Sequence, residues 1–324
     1  MTANEKQIRA WKCGEFGLID RIRVRFPNID LTDDCALLEI APSKKMLVST
    51  DTSVRGIHFP QNPEFMESAG FKAFAGAVSD INASAGKVIG ALLALNLPES
   101  LTLAEFDSFI DGIKSFSNRF NIPILGGNIS GSTEFSATFT AFGECDRCVT
   151  RNGARPGDVL FVIGELGGPE AGRIIVMGEA ETTSPHSEIM KNRFLRPEPP
   201  LGLGEYLSKI GATAMIDISD GLLADAEHIA SESRVAFSID LASLPLFPGV
   251  EDVASQKGIP PYKIAVASGE EYTLLFTLPT SSFDMLNAIP YKFSQIGHVS
   301  EGKGIQTFLY GQEIDIKKTG WRHF

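Results

Sequence analysis

Carboxylates in this chain recur in a pattern that suits metal chemistry. Val48-Ser49-Thr50-Asp51, Ala77-Val78-Ser79-Asp80 and Ile216-Asp217-Ile218-Ser219-Asp220 each close an apolar run with hydroxyls and acids. A further pair, Asp33-Asp34, precedes the apolar residues 35–38. Hard oxygen donors of this kind hold Mg²⁺ together with substrate phosphates. Read as strands, the three runs put their acids at strand ends, and alternation sends Asp217 and Ser219 to one face with Asp220 at the turn. Gly221 then permits close approach of a phosphate or a following helix. A Ser-Asp pair can equally be a plain cap. Capping alone does not call for three such runs beside an Asp-Asp pair, so the metal reading is preferred.

Other chemistries find little support. The chain has no G-x-x-x-x-G-K-[ST] loop and no protein-kinase signature, and Gly164-Glu165-Leu166-Gly167-Gly168 is not a dinucleotide fingerprint. Gly126-Gly127-Asn128 alone is weak evidence for a phosphate loop. With 40 acidic against 29 basic residues the net charge is −11; no basic stripe for a nucleic-acid backbone is visible, so no nucleic-acid partner is expected, while a metal-bridged anion can still bind. Cys13 and Cys35 are isolated, and Cys145-x-x-Cys148 lacks the second pair or histidines of a zinc site, so reduced thiols in a cytoplasmic loop are expected. His186, His228 and His298 read as solvated, in loops or on helix surfaces.

These side chains need a scaffold, and 324 residues suffice for two α/β domains. Hydrophobic residues at 43% and charged residues at 21% fit a soluble protein, and no apolar stretch reaches membrane-spanning length. Residues 1–12 carry no secretory pattern, so a cytoplasmic protein is expected. Strand-like and helix-like segments alternate: a short apolar run at 46–50, an Ala-rich helical run at 65–82, a strand at 88–97, and an amphipathic helix at 103–120 with Asp107, Asp111 and Lys114 outward. Residues 122–125 lead into the glycine pair, and 135–143 alternate like a strand. A second start near Arg151 leads to a strand at 159–163, a glycine-spaced segment opening a helix, an exposed stretch at 181–188 and a helix at 202–210. The class is α/β or α+β, with domains at 1–150 and 151–324.

Taken together, these segments resemble the thiamine-monophosphate kinase family nearly end to end. The resemblance rests on Cys13-Gly14-Glu15-Phe16-Gly17-Leu18-Ile19, Asp33-Asp34-Cys35-Ala36-Leu37-Leu38, and Ser49-Thr50-Asp51-Thr52 followed by Gly56-Ile57-His58-Phe59. In the second half it rests on residues 150–158 and 216–222, Gly269-Glu270-Glu271-Tyr272 and the ending Trp321-Arg322-His323-Phe324. It implies the two-domain aminoimidazole ribonucleotide synthetase-like fold, dimerised through the N-terminal sheet, and ATP-dependent phosphorylation of thiamine monophosphate. It implies magnesium ligands at Asp34, Ser49, Thr50, Asp51, Asp80, Asp217 and Asp220, and at Asn128, where the family has Asp. ATP contacts are implied at Gly127, Arg151 and Ser219, and thiamine phosphate contacts at His58, Glu270 and Trp321.

Four departures stand out: Thr32 for Gly, Asn128 for Asp, Glu271 for Asp, and Asn82-Ala83-Ser84-Ala85-Gly86 for a more hydrophobic stretch. They keep open the alternatives of a catalytically weak paralogue or another ATP-using synthetase of the same fold. No general base is expected, because the acceptor phosphate is already mostly a dianion near neutral pH.

Overall fold

The computed structural model describes residues 9–27, 41–182, 184–286, 288 and 290–316. Asp33, Asp34 and Trp321 lie outside the described residues. Two compact units emerge: Met1–Ile81 with Val88–Asp146, and Asn82–Lys87 with Arg147–Phe324.

The first unit contains α1 (Gly14–Arg25), β1 (Lys45–Val54), α2 (Met66–Ala83, whose last two residues belong to the second unit), β2 (Lys87–Pro98), α3 (Leu103–Phe120), β3 (Ile124–Ser132) and β4 (Ser136–Cys145). Its sheet runs β1-β4-β2-β3, with β1 antiparallel to β4 and β2 parallel to β3. Burial alternates at every residue of β4, which turns Ala137, Phe139 and Ala141 toward the helices. Phe74 stacks on Phe139 at 4.8 Å, Phe71 meets Phe116 edge-on at 5.0 Å, and Phe109 meets Phe135 at 4.9 Å. Each such ring contributes about 2–3 kcal/mol by leaving water. A Thr102–Glu105 capping box starts α3. The sheet's other face exposes Met46 and Val48 beside a hydroxyl ladder, Thr52 to Thr138 at 2.8 Å and Thr50 to Thr140 at 3.5 Å.

Several expectations need correction. Residues 77–80 do not end a strand; in line with the helical reading of 65–82, they form late turns of α2, because the Ala-rich stretch packs as one buried helix. Asp51 lies inside β1, which stays paired with β4 as far as Val54. Gly126-Gly127-Asn128 lie within β3, and a Cβ on Gly127 would meet the Leu93 carbonyl at 1.8 Å, so glycine is required there for strand contact. Asp107 does not face water: it is 2% exposed, bonded by Arg21 through Nε at 2.7 Å and through Nη2, while Arg25 Nη2 stands 3.3 Å away. Periodicity marks a polar face on α3, yet it cannot distinguish water from the arginines of α1. Cys145, too, is buried at the end of β4 rather than in a loop.

The second unit contains β5 (Val159–Ile163), α4 (Gly168–Val176), α5 (Ser187–Leu195), α6 (Leu203–Lys209), β6 (Ala214–Asp217), α7 (Leu222–Ser233), β7 (Ala236–Asp240) and α8 (Val250–Lys257). It continues with α9 (Pro261–Ala267), β8 (Leu274–Leu278), α10 (Phe283–Leu286), β9 (Phe293–Ser300), β10 (Gly304–Leu309) and β11 (Gln312–Glu313). The mixed sheet runs β11-β10-β7-β9-β5-β8-β6. Every residue of β5 is buried: Leu160 and Val162 join one core with Leu222, Ile229 and Phe237, while Val159, Phe161 and Ile163 join another with Leu203, Leu207 and Phe276. That two-sided burial explains its unbroken apolar run. His298 is exposed on β9, not in a loop.

Candidate active site

In the first unit, β1 alternation turns Ser49 and Asp51 to the helix-covered face, where Ser49 Oγ donates to Asp80 Oδ2 of α2 at 2.5 Å. Two oxygens bound side by side on one Mg²⁺ at about 2.1 Å stand about 3 Å apart, so this pair fits a shared cation. Thr50 is on the opposite face and donates to the Phe139 carbonyl at 3.2 Å. Asn128, in register with Ala94, also belongs to that opposite face, on the far edge strand.

The loop after β1 carries His58. Its ring Nδ1 accepts from the Val54 N–H at 3.0 Å while the His58 backbone N–H donates to the Val54 carbonyl at 2.9 Å. The ring proton therefore resides on Nε2, which makes that atom a donor. Arg55 ties the loop down by donating from Nε to the Gln61 carbonyl at 2.8 Å and from Nη2 to Glu105 at 2.8 Å. Burial pushes the Glu105 carboxyl up, but hydrogen bonds from Thr102 and Arg55 outweigh it and leave the group below its ordinary range.

In the second unit, Asp217 ends β6 and is buried, and residues 218–221 form the turn into α7. Against this turn runs residues 268–273. Glu270 N–H donates to the Ser219 carbonyl at 2.8 Å, and Tyr272 N–H to the Ile218 carbonyl at 2.9 Å. A Cβ on Gly269 would meet the Ser219 carbonyl at 2.7 Å, so the two loops touch only because that residue is glycine. Glu270 and Tyr272 adopt positive φ, 56° and 48°, an unusual backbone for such residues and one that surrounding contacts must hold.

Two carboxylates organise these loops: Asp225, absent from the sequence reading, and Glu271, noted there only as a departure from the family. Asp225, in the first turn of α7, accepts at Oδ2 from the N–H groups of Ser219, Asp220 and Gly221. Burial first, then the Asp220 carboxylate, push its carboxyl up to about 7 against those hydrogen bonds. An acid in the first turn of a helix was the available signal. Glu271 accepts from the Gly167 N–H at 2.6 Å, and Ser268 Oγ accepts from the Glu170 N–H at 3.3 Å. The N-terminus of α4 is thus capped from within the chain, which leaves the glycine segment no role as a phosphate loop.

Ser49, Asp51 and Asp80 therefore share one face, and Asp217, Ser219, Asp220 and Glu270 share one loop pair. Arg151, in a turn whose neighbour Thr150 accepts from the Met215 N–H, stands at the start of β6, about 13 Å along the chain direction from Ser219. Among the described residues no three His, Cys, Asp or Glu side chains converge on a metal position. Acids in ones and twos, completed by phosphate oxygens, are how Mg²⁺ is ordinarily held beside a nucleotide.

Residues 32–145 match the N-terminal domain of AIR synthase-related proteins, and 155–309 match its C-terminal domain. The thiamine-monophosphate kinase of Aquifex aeolicus is 37% identical over 318 residues, covering 98% of this chain and all of that protein. The chain belongs to the thiamine-monophosphate kinase family. The Escherichia coli K12 member is 32% identical, over 96% of this chain and 98% of its own. Among solved structures, AaThiL complexed with AMPPCP and TMP superposes with a TM-score of 0.77 at 36% identity, covering 98% of this chain and 99% of that one. The kinase from Stenotrophomonas maltophilia gives 0.79 at 30% identity, over 93% and 98%. The hydrogenase maturation protein HypE, at 16% identity and a TM-score of 0.74, shares the fold alone.

Proposed function

We propose that this chain transfers the γ-phosphate of ATP to thiamine monophosphate, giving thiamine diphosphate, by direct in-line transfer with Mg²⁺. The observation that carries the reading is the end-to-end likeness to thiamine-monophosphate kinases. The acceptor phosphate, with a second pKa of about 6, needs no general base. What opposes reaction is repulsion between that dianion and the ATP tail. Bound Mg²⁺ supplies charge neutralisation and in-line alignment. Asp34, Ser49, Thr50, Asp51, Asp80, Asn128, Asp217 and Asp220 are its proposed ligands, with Gly127, Arg151 and Ser219 for ATP. His58 holds a proton on Nε2 for donation to the acceptor phosphate, Glu270 answers the cationic thiazolium ring, and Trp321 completes the substrate contacts. A silent paralogue is not favoured: an amide oxygen at position 128 still ligates Mg²⁺, and Glu271 serves the fold.

The sheet order supports a homodimer. β1 and β3 are opposite edges of the first sheet, three strand spacings or about 14 Å apart, too far for Thr50 and Asn128, which share the open face, to hold one ion within one chain. A second copy docked on the face that exposes Met46 and Val48 would bring a β3 edge to β1. No helix among the described residues is long and apolar enough to cross a membrane, in keeping with the proposed cytoplasmic setting. A coupled assay for ADP release, with and without thiamine monophosphate, tests the function. ADP release indifferent to thiamine monophosphate would refute it.

A further inference from the structure

Three consecutive backbone N–H groups, those of Ser219, Asp220 and Gly221, converge on one oxygen of Asp225 at 3.0, 3.1 and 3.1 Å. These are donors of the turn that leads into α7, whose N-cap is Gly221; a run of successive N–H groups is a concavity of the kind that can cradle an anion. Here the helix fills that place with its own buried carboxylate. The turn is consequently closed to an anion on its backbone side, and what it can offer a nucleotide is its side chains, Asp217, Ser219 and Asp220.

The same three bonds set the direction of each peptide in the turn. With the N–H groups of 219–221 turned toward Asp225, the carbonyls of Ile218 and Ser219 receive Tyr272 and Glu270. Asp225 so governs two things without touching either substrate: the aim of the Asp220 carboxylate and the seat of the loop that bears Glu270. We propose that Asp225 is a positioning residue that shapes the 217–220 turn for a divalent cation while keeping phosphate off the backbone N–H groups of residues 219–221. This role rests on the kinase reading above.

The test compares the full-length native chain with Asp225→Asn, which keeps the shape and one acceptor oxygen, and Asp225→Ala, which frees all three N–H groups. Mn²⁺ binding is followed by the electron paramagnetic resonance of the free ion, in the presence of a non-hydrolysable ATP analogue, with melting temperature recorded alongside. Loss of the oriented turn should weaken Mn²⁺ binding by about tenfold in Asp225→Ala, with Asp225→Asn between it and the native chain. A purely structural role would lower the melting temperature and leave the affinity of the folded fraction unchanged. Unchanged affinity in a folded Asp225→Asn overturns the proposal, as does failure of that isosteric variant to fold. A native chain that binds no Mn²⁺ with nucleotide and makes no thiamine diphosphate overturns the kinase reading and this role together.

Discussion

Replacing Glu271 by glutamine should flatten the pH dependence of stability between about pH 5 and 8. Glu271 is buried, and burial, only partly offset by hydrogen bonds from Ser268 and Gly167 and by Arg193, lifts its carboxyl from 4.5 to about 7. The folded chain then holds this proton more tightly than the unfolded chain does. Folding takes up a proton between those two values, so this group's contribution to stability falls as pH rises from 4.5 to about 7. At about 1.4 kcal/mol per pH unit, the full effect above pH 7 is about 3 kcal/mol. Glutamine keeps an oxygen for the Gly167 N–H but cannot ionise, at a cost of about 1 kcal/mol for a weaker acceptor. Asp225, whose carboxyl is also raised, adds the same slope to both proteins and cancels in the difference. Urea unfolding at half-unit pH steps should show the variant slightly less stable near pH 5 and about 2 kcal/mol more stable near pH 8. Parallel curves with a constant offset would refute the argument, because they would mean that Glu271 titrates alike in the folded and unfolded chains.

Other expectations follow the site and its frame. Asp51→Asn should fold normally and lose turnover severely; normal rates across a magnesium titration would remove Asp51 from the ligand set. Asn128→Asp restores a charge beside the phosphates and should lower the magnesium needed for half-maximal rate, whereas a clear fall in activity at unchanged melting temperature would show that the site is adapted to the amide. Asp107→Ala should destabilise by about 2–3 kcal/mol in denaturant unfolding, less than a fully buried pair, because Arg21 and Arg25 can turn back to water. Transfer from ATP carrying a chiral γ-phosphate should proceed with inversion, and retention would point instead to a phosphoenzyme.

The acids were legible in the sequence because hard oxygen donors beside serines and threonines are a local signal, readable without neighbours. The same holds for the helix at 103–120, whose cap and apolar stripe lie within its own residues, and for the β5 run, whose unbroken apolar character reflects burial on both sides. Local pattern misled at residues 77–80: an apolar pair closed by Ser and Asp is too short a run to tell a strand end from a helical turn, although the longer 65–82 window does read as a helix. Asp107 was assigned to water because one helix's polar face carries no record of what a distant helix lays upon it. Asp225 and Glu271 became significant only once the chain was folded, since their partners are backbone N–H groups, which every residue but proline has and which a sequence therefore cannot distinguish. The wide separation of β1 and β3 is likewise a matter of strand order, set by which edges pair and not by the residues between them. Residue chemistry thus identified what could hold a cation, whereas tertiary structure decided which of those oxygens share a face, because only folding fixes distance between residues far apart in the chain.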